Sequence, residues 1–226
     1  MKLFNKAPVT YAVIGLGRFG SAVAETLAEA GQEIILVDKD PEKVRDMRRL
    51  TDFAYVIEHI DQKNLEDIGV GECEVAIICI GSAMDANILT TLYCINLQIP
   101  KVIAKANSLD QGAILEKLGA SVIYPERDMG KRLANQLLNK KMIDYFSVSG
   151  NMDIAQMKIP TSFIGQELIT LRMRQRWGIS VIAIMTGNGN TIEEIDPHYV
   201  FHANDSIIII GSNENIHKFE LDTQDD

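Results

Sequence analysis

The chain has 226 residues, 46% of them hydrophobic and 23% charged, which is typical of a soluble globular protein with one large or two small domains. Its formal net charge of −9 excludes nucleic acid as the main ligand, because phosphate backbones are bound by basic surfaces. No apolar run approaches the ~20 residues of a membrane-spanning helix, so we expect no direct membrane insertion. The cysteines, Cys73, Cys79 and Cys94, fit no zinc spacing, and their odd number indicates a reducing cytoplasm.

From Tyr11 onward, short apolar segments alternate with segments of helical periodicity. Strands are predicted at YAVIGLG, EIILVD, FAYVIEH, VAIICIG, KVIAKA and SVIYP, with a helix between each pair. Strand–helix alternation of this kind predicts an α/β domain with a parallel, doubly wound sheet of the Rossmann type.

After Pro125 the pattern changes. A long helix is predicted over DMGKRLANQLLNKKMIDYF, and the polar break SVSGNMD follows it. The remaining segments predict a small α+β module: strand IAQMKIP, helix GQELITLRMRQRWG, strands ISVIAIM and SIIIIG, and helix NENIHKFEL. We therefore expect two domains, residues 9–148 and 149–221.

A glycine-rich turn follows the first predicted strand and opens a helix. Gly15 permits a tight turn, Gly17 lets a pyrophosphate approach the backbone, and Gly20 lets helix and strand pack closely. Asp38 ends the next strand, where an acid binds both ribose hydroxyls and repels a 2′-phosphate. This G-x-G-x-x-G set predicts NAD or an adenosine nucleotide rather than NADP.

Three charged residues stand where the phosphates of such a ligand would lie. Arg18 either reaches a phosphate or pairs with a surface acid. Lys105 ends the fifth strand and Glu126 follows the sixth, both at the edge of the sheet where ligands bind. Glu126 either holds a cation against the phosphates or begins a helix capped by Asp128, and from the residues alone the helix start is favoured.

Groups for acid–base or nucleophilic catalysis are sparse in the sequence. None of the four histidines stands beside an obvious partner, and no Ser-His-Asp or Cys-His arrangement is evident. His198 and His202 are four residues apart, the spacing at which two histidines on one helix face bind a metal. Pro197 and the strand-like surroundings argue against a helix at this position. We therefore expect a ligand that is sensed, and no enzyme activity.

Several segments together resemble a known family. The first domain is similar to the KtrA/TrkA group of regulator of K⁺ conductance (RCK) proteins, and the small module is similar to the RCK C-terminal domain. The similar segments of the first domain are VIGLGRFG, LVDKDPEKV, IGSAMDANILTTL, IPKVIAKANS and ILEKLGASVIYPERDMGKRLA.

This resemblance implies a regulatory function. Members are cytoplasmic proteins, peripheral to the membrane, whose dimers assemble into an octameric ring beneath a K⁺-translocating subunit of the KtrB or TrkH type. ATP or ADP switches the ring conformation, and NAD(H) binds in some members. The alternatives are an NAD-dependent oxidoreductase and a freestanding cyclic di-AMP receptor.

The resemblance also implies a set of nucleotide-binding residues. Arg18 would reach the γ-phosphate, Asp61 would lie close to the adenosine, and Glu126 would bind a divalent cation or Na⁺ at the phosphates, which reverses the helix-start interpretation. Glu58 and His59, before Asp61, replace a pair of small residues usual in the family. The full set is Gly15, Gly17, Arg18, Phe19, Gly20, Asp38, Lys39, Asp61, Gly81, Lys105 and Glu126.

A second ligand site is implied in the C-terminal domain. Cyclic di-AMP binds there in KtrA-like proteins and closes the transporter. The basic residue suited to a phosphate is Arg174, and the apolar or stacking contacts would be Ile164, Ile184, Pro197 and His198.

Overall fold

The computed structural model describes residues 10–138, 142–149 and 151–223. The chain forms two compact units, divided between Glu126 and Arg127. The domain boundary predicted between residues 148 and 149 falls within a strand of the second unit, and residue 9, the predicted start of the first domain, lies outside the described residues.

The first unit is built on a parallel sheet. Its strands are β1 (Tyr11–Ile14), β2 (Ile34–Asp38), β3 (Ala54–Val56), β4 (Val75–Ile78), β5 (Lys101–Lys105) and β6 (Ser121–Ile123). Its helices are α1 (Arg18–Glu29), α2 (Pro41–Met47), α3 (Gln62–Asp67), α4 (Met84–Asn96) and α5 (Leu109–Leu118), with a 3-10 turn at Val70–Glu72. The strand order β3-β2-β1-β4-β5-β6, with parallel pairing throughout, confirms the predicted Rossmann-type fold.

Both faces of this sheet are buried, as the nearly continuous apolar strands predict. Val13, Leu36 and Ile77 pack into one core, while Ala12 and Ile14 belong to the core on the opposite face. Alternate residues of a strand point to opposite faces, so each strand contributes to both cores. The rigid sheet then places its carboxyl-end loops along one edge.

The second unit contains an antiparallel sheet. Its strands are β7 (Met142–Ser149), β8 (Met152–Lys158), β9 (Ser180–Met185), β10 (Thr191–Ile192) and β11 (Ser206–Ser212), in the order β10-β9-β11-β8-β7. The remaining elements are α6 (Pro125–Leu138, which begins in the first unit), a 3-10 turn at Thr161–Phe163, α7 (Leu168–Leu171), α8 (Met173–Trp177) and α9 (Asn213–Asp222). The core centres on four aromatic rings, those of Phe163, Trp177, Phe201 and Phe219. The predicted small α+β module is confirmed.

Two predicted helices of this part of the chain were wrong in detail. The long helix ends at Leu138, and residues 139–141 lie outside the described part. The segment from Met142 forms β7, which pairs with β8 and contains β-branched and aromatic residues that favour strands. The helix predicted over GQELITLRMRQRWG is divided at Arg172, whose backbone is left-handed (φ 49°, ψ 45°). Leu171 and Met173 are both buried, and a continuous helix would point them ~200° apart.

Candidate functional site

A cleft of about 490 Å³ opens along the carboxyl edge of the parallel sheet. It lies where the glycine-rich turn, the ends of β2, β4 and β5, and the start of α6 come together. Nine of the eleven residues of the predicted nucleotide set line it: Gly15, Gly17, Arg18, Phe19, Asp38, Lys39, Gly81, Lys105 and Glu126.

The three glycines have distinct physical roles in the turn. Gly15 has φ +101°, and a Cβ there would stand 2.9 Å from the backbone of Cys79 and Ile80. A Cβ on Gly20 would stand 1.9 Å from the carbonyl oxygen of Gly15, so Gly20 lets α1 pack on the turn and is buried away from the cleft. Gly17 has open space around its Cβ position and is the N-cap of α1, without a side-chain cap. The first N–H groups of α1 are therefore accessible to an anion from the cleft.

Asp38 is held rigidly at the end of β2. Its Oδ2 accepts a hydrogen bond from the Leu16 N–H at 2.6 Å, and its Oδ1 accepts one from the Asp40 N–H at 2.9 Å. The Lys43 ammonium lies 3.8 Å away, and Asp38 is only 8% exposed. A carboxylate has about four lone-pair positions, so two acceptor positions are left for the hydroxyls of a ribose.

Lys105 and Glu126 form an ion pair at the opposite end of the cleft. The Lys105 Nζ donates a hydrogen bond to Glu126 Oε1, with the lysine side chain 10% exposed and the glutamate 67% exposed. This hydrogen bond, with a smaller contribution from the charge of Arg18, holds the pKa of Glu126 below its usual range. A Cβ on Gly81 would stand 3.5 Å from the same Nζ, an ordinary van der Waals distance, so Gly81 lies directly beside the lysine ammonium. Two cationic side chains, those of Arg18 and Lys105, and one ionised carboxylate therefore lie at this end of the cleft.

Asp61 does not line the cleft, although it belongs to the predicted set. It is the N-cap of α3, and its Oδ1 accepts the Asn64 N–H at 2.8 Å while Asn64 Oδ1 accepts the Asp61 N–H at 3.0 Å. The Asn64 side chain also donates to the His59 carbonyl at 2.9 Å. This capping box fixes the preceding loop, whose Glu58 and His59 do line the cleft.

Other lining residues were not among the predicted set. Lys43 lies on α2, and the first two turns of α4 contribute one continuous face. Residues three and four apart share a helix face, so the sequence ANILT could have indicated which residues of α4 line the cleft once the start of α4 was known. The α4 residues that line the cleft are Asp85, Ala86, Leu89 and Thr90.

The residues predicted to bind cyclic di-AMP lie in different surroundings. Ile164, Pro197 and His198 are exposed. The Ile169 N–H donates to the Pro197 carbonyl at 2.9 Å, and this hydrogen bond joins the chain around Ile169 to the chain around Pro197. Arg174 is exposed on α8, whereas Ile184 is fully buried in the core rather than at the surface.

His198 contacts a carboxylate. Its Nδ1 lies 2.9 Å from Glu167 Oε2, and the hydrogen bond that the imidazole donates to this carboxylate raises the pKa of the imidazole.

One cysteine, Cys79, lines the cleft and is buried. Burial raises the pKa of Cys79, which lines the cleft, to about 12. In the part of the chain that the structure describes, no three His, Cys, Asp or Glu side chains are grouped as metal ligands.

Two family models match the chain: a TrkA-N domain over residues 11–125 and a TrkA-C domain over residues 154–221. The chain belongs to the TrkA family. The resemblance to the KtrA/TrkA group is thereby confirmed. Within the described residues of this TrkA-family chain, no helix has the length and hydropathy needed to cross a bilayer.

Known relatives cover almost the whole TrkA-family chain. Ktr system potassium uptake protein C of Bacillus subtilis (strain 168) is 32% identical over 211 residues, which are 93% of this chain and 95% of the relative. Ktr system potassium uptake protein A of the same strain is 30% identical with the same coverage.

Solved structures show the same fold. The GsuK RCK domain matches with a TM-score of 0.50 and 23% identity, covering 99% of this chain and 49% of that one. The GsuK channel bound to NAD also has a TM-score of 0.50, at 21% identity, covering 96% of this chain and 39% of that one. The TrkA-family chain thus spans about half or less of the length of these proteins.

Proposed function

We propose that this chain is the cytoplasmic, nucleotide-sensing subunit of a K⁺ uptake system, and not an enzyme. Its relatives are named Ktr system potassium uptake proteins, and the alignment covers almost their full length. The observation that supports nucleotide binding is the cleft. It combines the uncapped start of α1, the hydrogen-bonded carboxylate of Asp38 and the Lys105–Glu126 ion pair.

The strand order supports one direction for the ligand. The glycine turn follows β1, Asp38 ends β2, and Glu58 follows β3, with the three strands side by side in that order. Phosphates at the turn and a ribose at Asp38 therefore place the base beside Glu58 and His59. A carboxylate there accepts a hydrogen bond from the exocyclic amino group of adenine, which favours adenine over a base with an oxygen at that position.

Arg18 is proposed to distinguish ATP from ADP. Its guanidinium is exposed at the start of α1, lines the cleft and acts electrostatically on Glu126. A terminal phosphate in this region would receive charge-assisted hydrogen bonds from Arg18, and ADP would lack them. Different affinities of the two nucleotides for two conformations are what a switch requires.

Glu126 is proposed to hold a divalent cation or Na⁺ against the phosphates. Its carboxylate is largely exposed, and its lowered pKa keeps it ionised at neutral pH, so it fits as an oxygen ligand for a hard cation. It supplies a single carboxylate, and phosphate oxygens would provide further ligands. The cation would neutralise charge between the carboxylate and the nucleotide.

The proposed partners are a membrane K⁺-translocating subunit of the KtrB or TrkH type and further copies of this chain, assembled from dimers into an octameric ring. Inhibition by cyclic di-AMP belongs to the same proposal. Its support is that four of the five predicted residues, all except Ile184, are exposed. Binding of cyclic di-AMP to the wild type, and its loss in Arg174→Ala, would test this site.

Arg18→Ala tests the nucleotide switch. Titration calorimetry should show ATP affinity reduced by roughly 10- to 100-fold, because one or two charge-assisted hydrogen bonds are lost. ADP affinity should fall less than about 3-fold, since ADP lacks the terminal phosphate. The control is Arg49→Ala, which removes the same charge from a surface pair with Glu25 outside the cleft. Equal losses for ATP and ADP would rule out Arg18 as the sensor.

The oxidoreductase alternative predicts a different outcome. Incubation of the protein with NADH and candidate carbonyl substrates would then consume NADH, with a fall in absorbance at the reduced nicotinamide band. The proposed function predicts no such turnover and binding of ATP and ADP in the same cleft, with NAD(H) as a competitor.

A further inference from the structure

The chain segments that follow β4 and β5 are joined by two side-chain amides. The β4–β5 ladder ends at the pair Ile78–Ala104, and Lys105 pairs onward with β6. Beyond that point Asn87 Nδ2 donates to the carbonyl of Ile80 at 2.8 Å and to the carbonyl of Lys105 at 3.1 Å. The Asn87 amide thus connects the chain after β4 to the end of β5, beyond the last residue pair of the β4–β5 ladder.

Asn107 makes the second connection. Its Nδ2 donates to the Gly81 carbonyl at 2.7 Å, one residue beyond the carbonyl that Asn87 binds. Asn107 is itself held by Gln111, whose Oε1 accepts the Asn107 N–H at 2.9 Å. We call Asn87 and Asn107 together the amide clasp.

Asn87 is the buried residue of the amide clasp, and its two donated hydrogen bonds require the amide group of its side chain. Asn87 is fully buried on α4, and both of its amide hydrogens are directed to carbonyl oxygens of different strand ends. Its Oδ1 has no hydrogen-bond partner among the described residues. A buried orphaned carbonyl is destabilising, so this amide is not the best choice for stability alone. Aspartate has the same shape but cannot donate these two bonds.

The clasp lies directly behind the phosphate end of the cleft. Gly81 and Lys105, whose backbone carbonyls it binds, both line the cleft, and the Lys105 Nζ passes close to Gly81 on its way to Glu126. A fixed separation of the two segments therefore fixes where the lysine ammonium stands. Asn87 itself does not line the cleft, so any effect on a ligand must pass through these residues.

We propose that the amide clasp positions Lys105 and Gly81 for the terminal phosphates of the bound nucleotide. Asn87 and Asn107 are positioning residues, and the role rests on the nucleotide-sensing function proposed above. AMP would occupy the base, the ribose and the start of α1, whereas the terminal phosphates of ATP would extend toward Lys105. The clasp therefore controls the ratio of ATP affinity to AMP affinity.

The test compares Asn107→Ala and Asn87→Asp with Thr91→Val in the otherwise intact protein. Asn107 is exposed, so its variant keeps the buried interior unchanged. Thr91 is the matched control, because its buried hydroxyl donates at 2.8 Å to the Asn87 carbonyl within α4 and binds neither strand end. Calorimetry should show the ATP-to-AMP affinity ratio reduced by roughly 3- to 10-fold in Asn107→Ala, by more in Asn87→Asp, and unchanged in Thr91→Val.

Hydrogen exchange of the ligand-free protein separates this proposal from the proposed function. Asn107→Ala should exchange faster at residues 80–83 and 105–107, whereas Thr91→Val should exchange faster only within α4. An unchanged ratio in folded Asn107→Ala, or equal losses for ATP and AMP, would overturn the positioning role. A wild type that binds neither nucleotide would overturn the proposed function, and the exchange result alone would then decide whether the clasp holds the strand ends.

Discussion

Replacing Asp38 by Asn should destabilise the first unit even before any ligand is added. The carboxylate accepts the Leu16 N–H with one oxygen and the Asp40 N–H with the other, and Leu16 is only 2% exposed. An Asn side chain keeps one acceptor oxygen and turns an NH₂ group toward the second N–H. Because a buried donor without an acceptor costs ~1–3 kcal/mol, we expect a loss of about that size in the free energy of unfolding.

The control is Asp40→Asn, which removes the same charge two residues away. Asp40 is the N-cap of α2 and accepts the Glu42 N–H at 3.0 Å, a role that Asn fills equally well, so the change should stay within ~0.5 kcal/mol. The single tryptophan, Trp177, lies in the second unit, so urea unfolding should be followed by far-UV circular dichroism. Equal stability and equal ATP affinity of the two variants would refute the role assigned to Asp38.

Two further predictions concern groups outside the proposed phosphate contacts. Burial raises the pKa of Cys79 to about 12, and the other two cysteines are similarly buried, so a thiol reagent at pH 8 should label none of the three until urea is added. Arg132 binds both carboxylate oxygens of Asp144 at 2.6–2.9 Å and lies 4.4 Å above the Phe146 ring. Arg132→Lys keeps the charge but loses the planar fork, and thermal unfolding should show ~1 kcal/mol lower stability, a loss that unchanged unfolding would contradict.

The nucleotide-binding turn was predictable because its determinants are local. Gly15, Gly17, Gly20 and Asp38 lie within two adjacent strands and the helix between them, and each role follows from backbone geometry at that junction. The fold was predictable for a similar reason, since strands buried on both faces have nearly continuous apolar sequences.

The remaining contacts depend on tertiary neighbours that sequence does not specify. Asp61 has the right residue type for a ligand contact, but Asn64 three residues later commits it to the capping box. All of β9 is apolar or small, so alternation gave no indication that Ile184 faces the core while Ile182 is 42% exposed. The helix predicted from the sequence includes the first residues of Met142–Ser149, and only the pairing of this segment with β8 shows that it is a strand.

The ligand-free charge balance of the cleft argues for a cation in the bound state. Glu126 neutralises the charge of Lys105 in the ligand-free protein. A polyphosphate that binds Lys105 in place of Glu126 leaves the ionised carboxylate of Glu126 beside the negative charge of the phosphates. Like charges at a few ångströms repel strongly in a partly buried site, and a bound cation removes that repulsion. ATP affinity should therefore rise with Mg²⁺, Ca²⁺ or Na⁺ in the wild type, and Glu126→Gln should bind ATP equally well with and without the cation. A cation dependence that survives in Glu126→Gln would show that another group balances the phosphates.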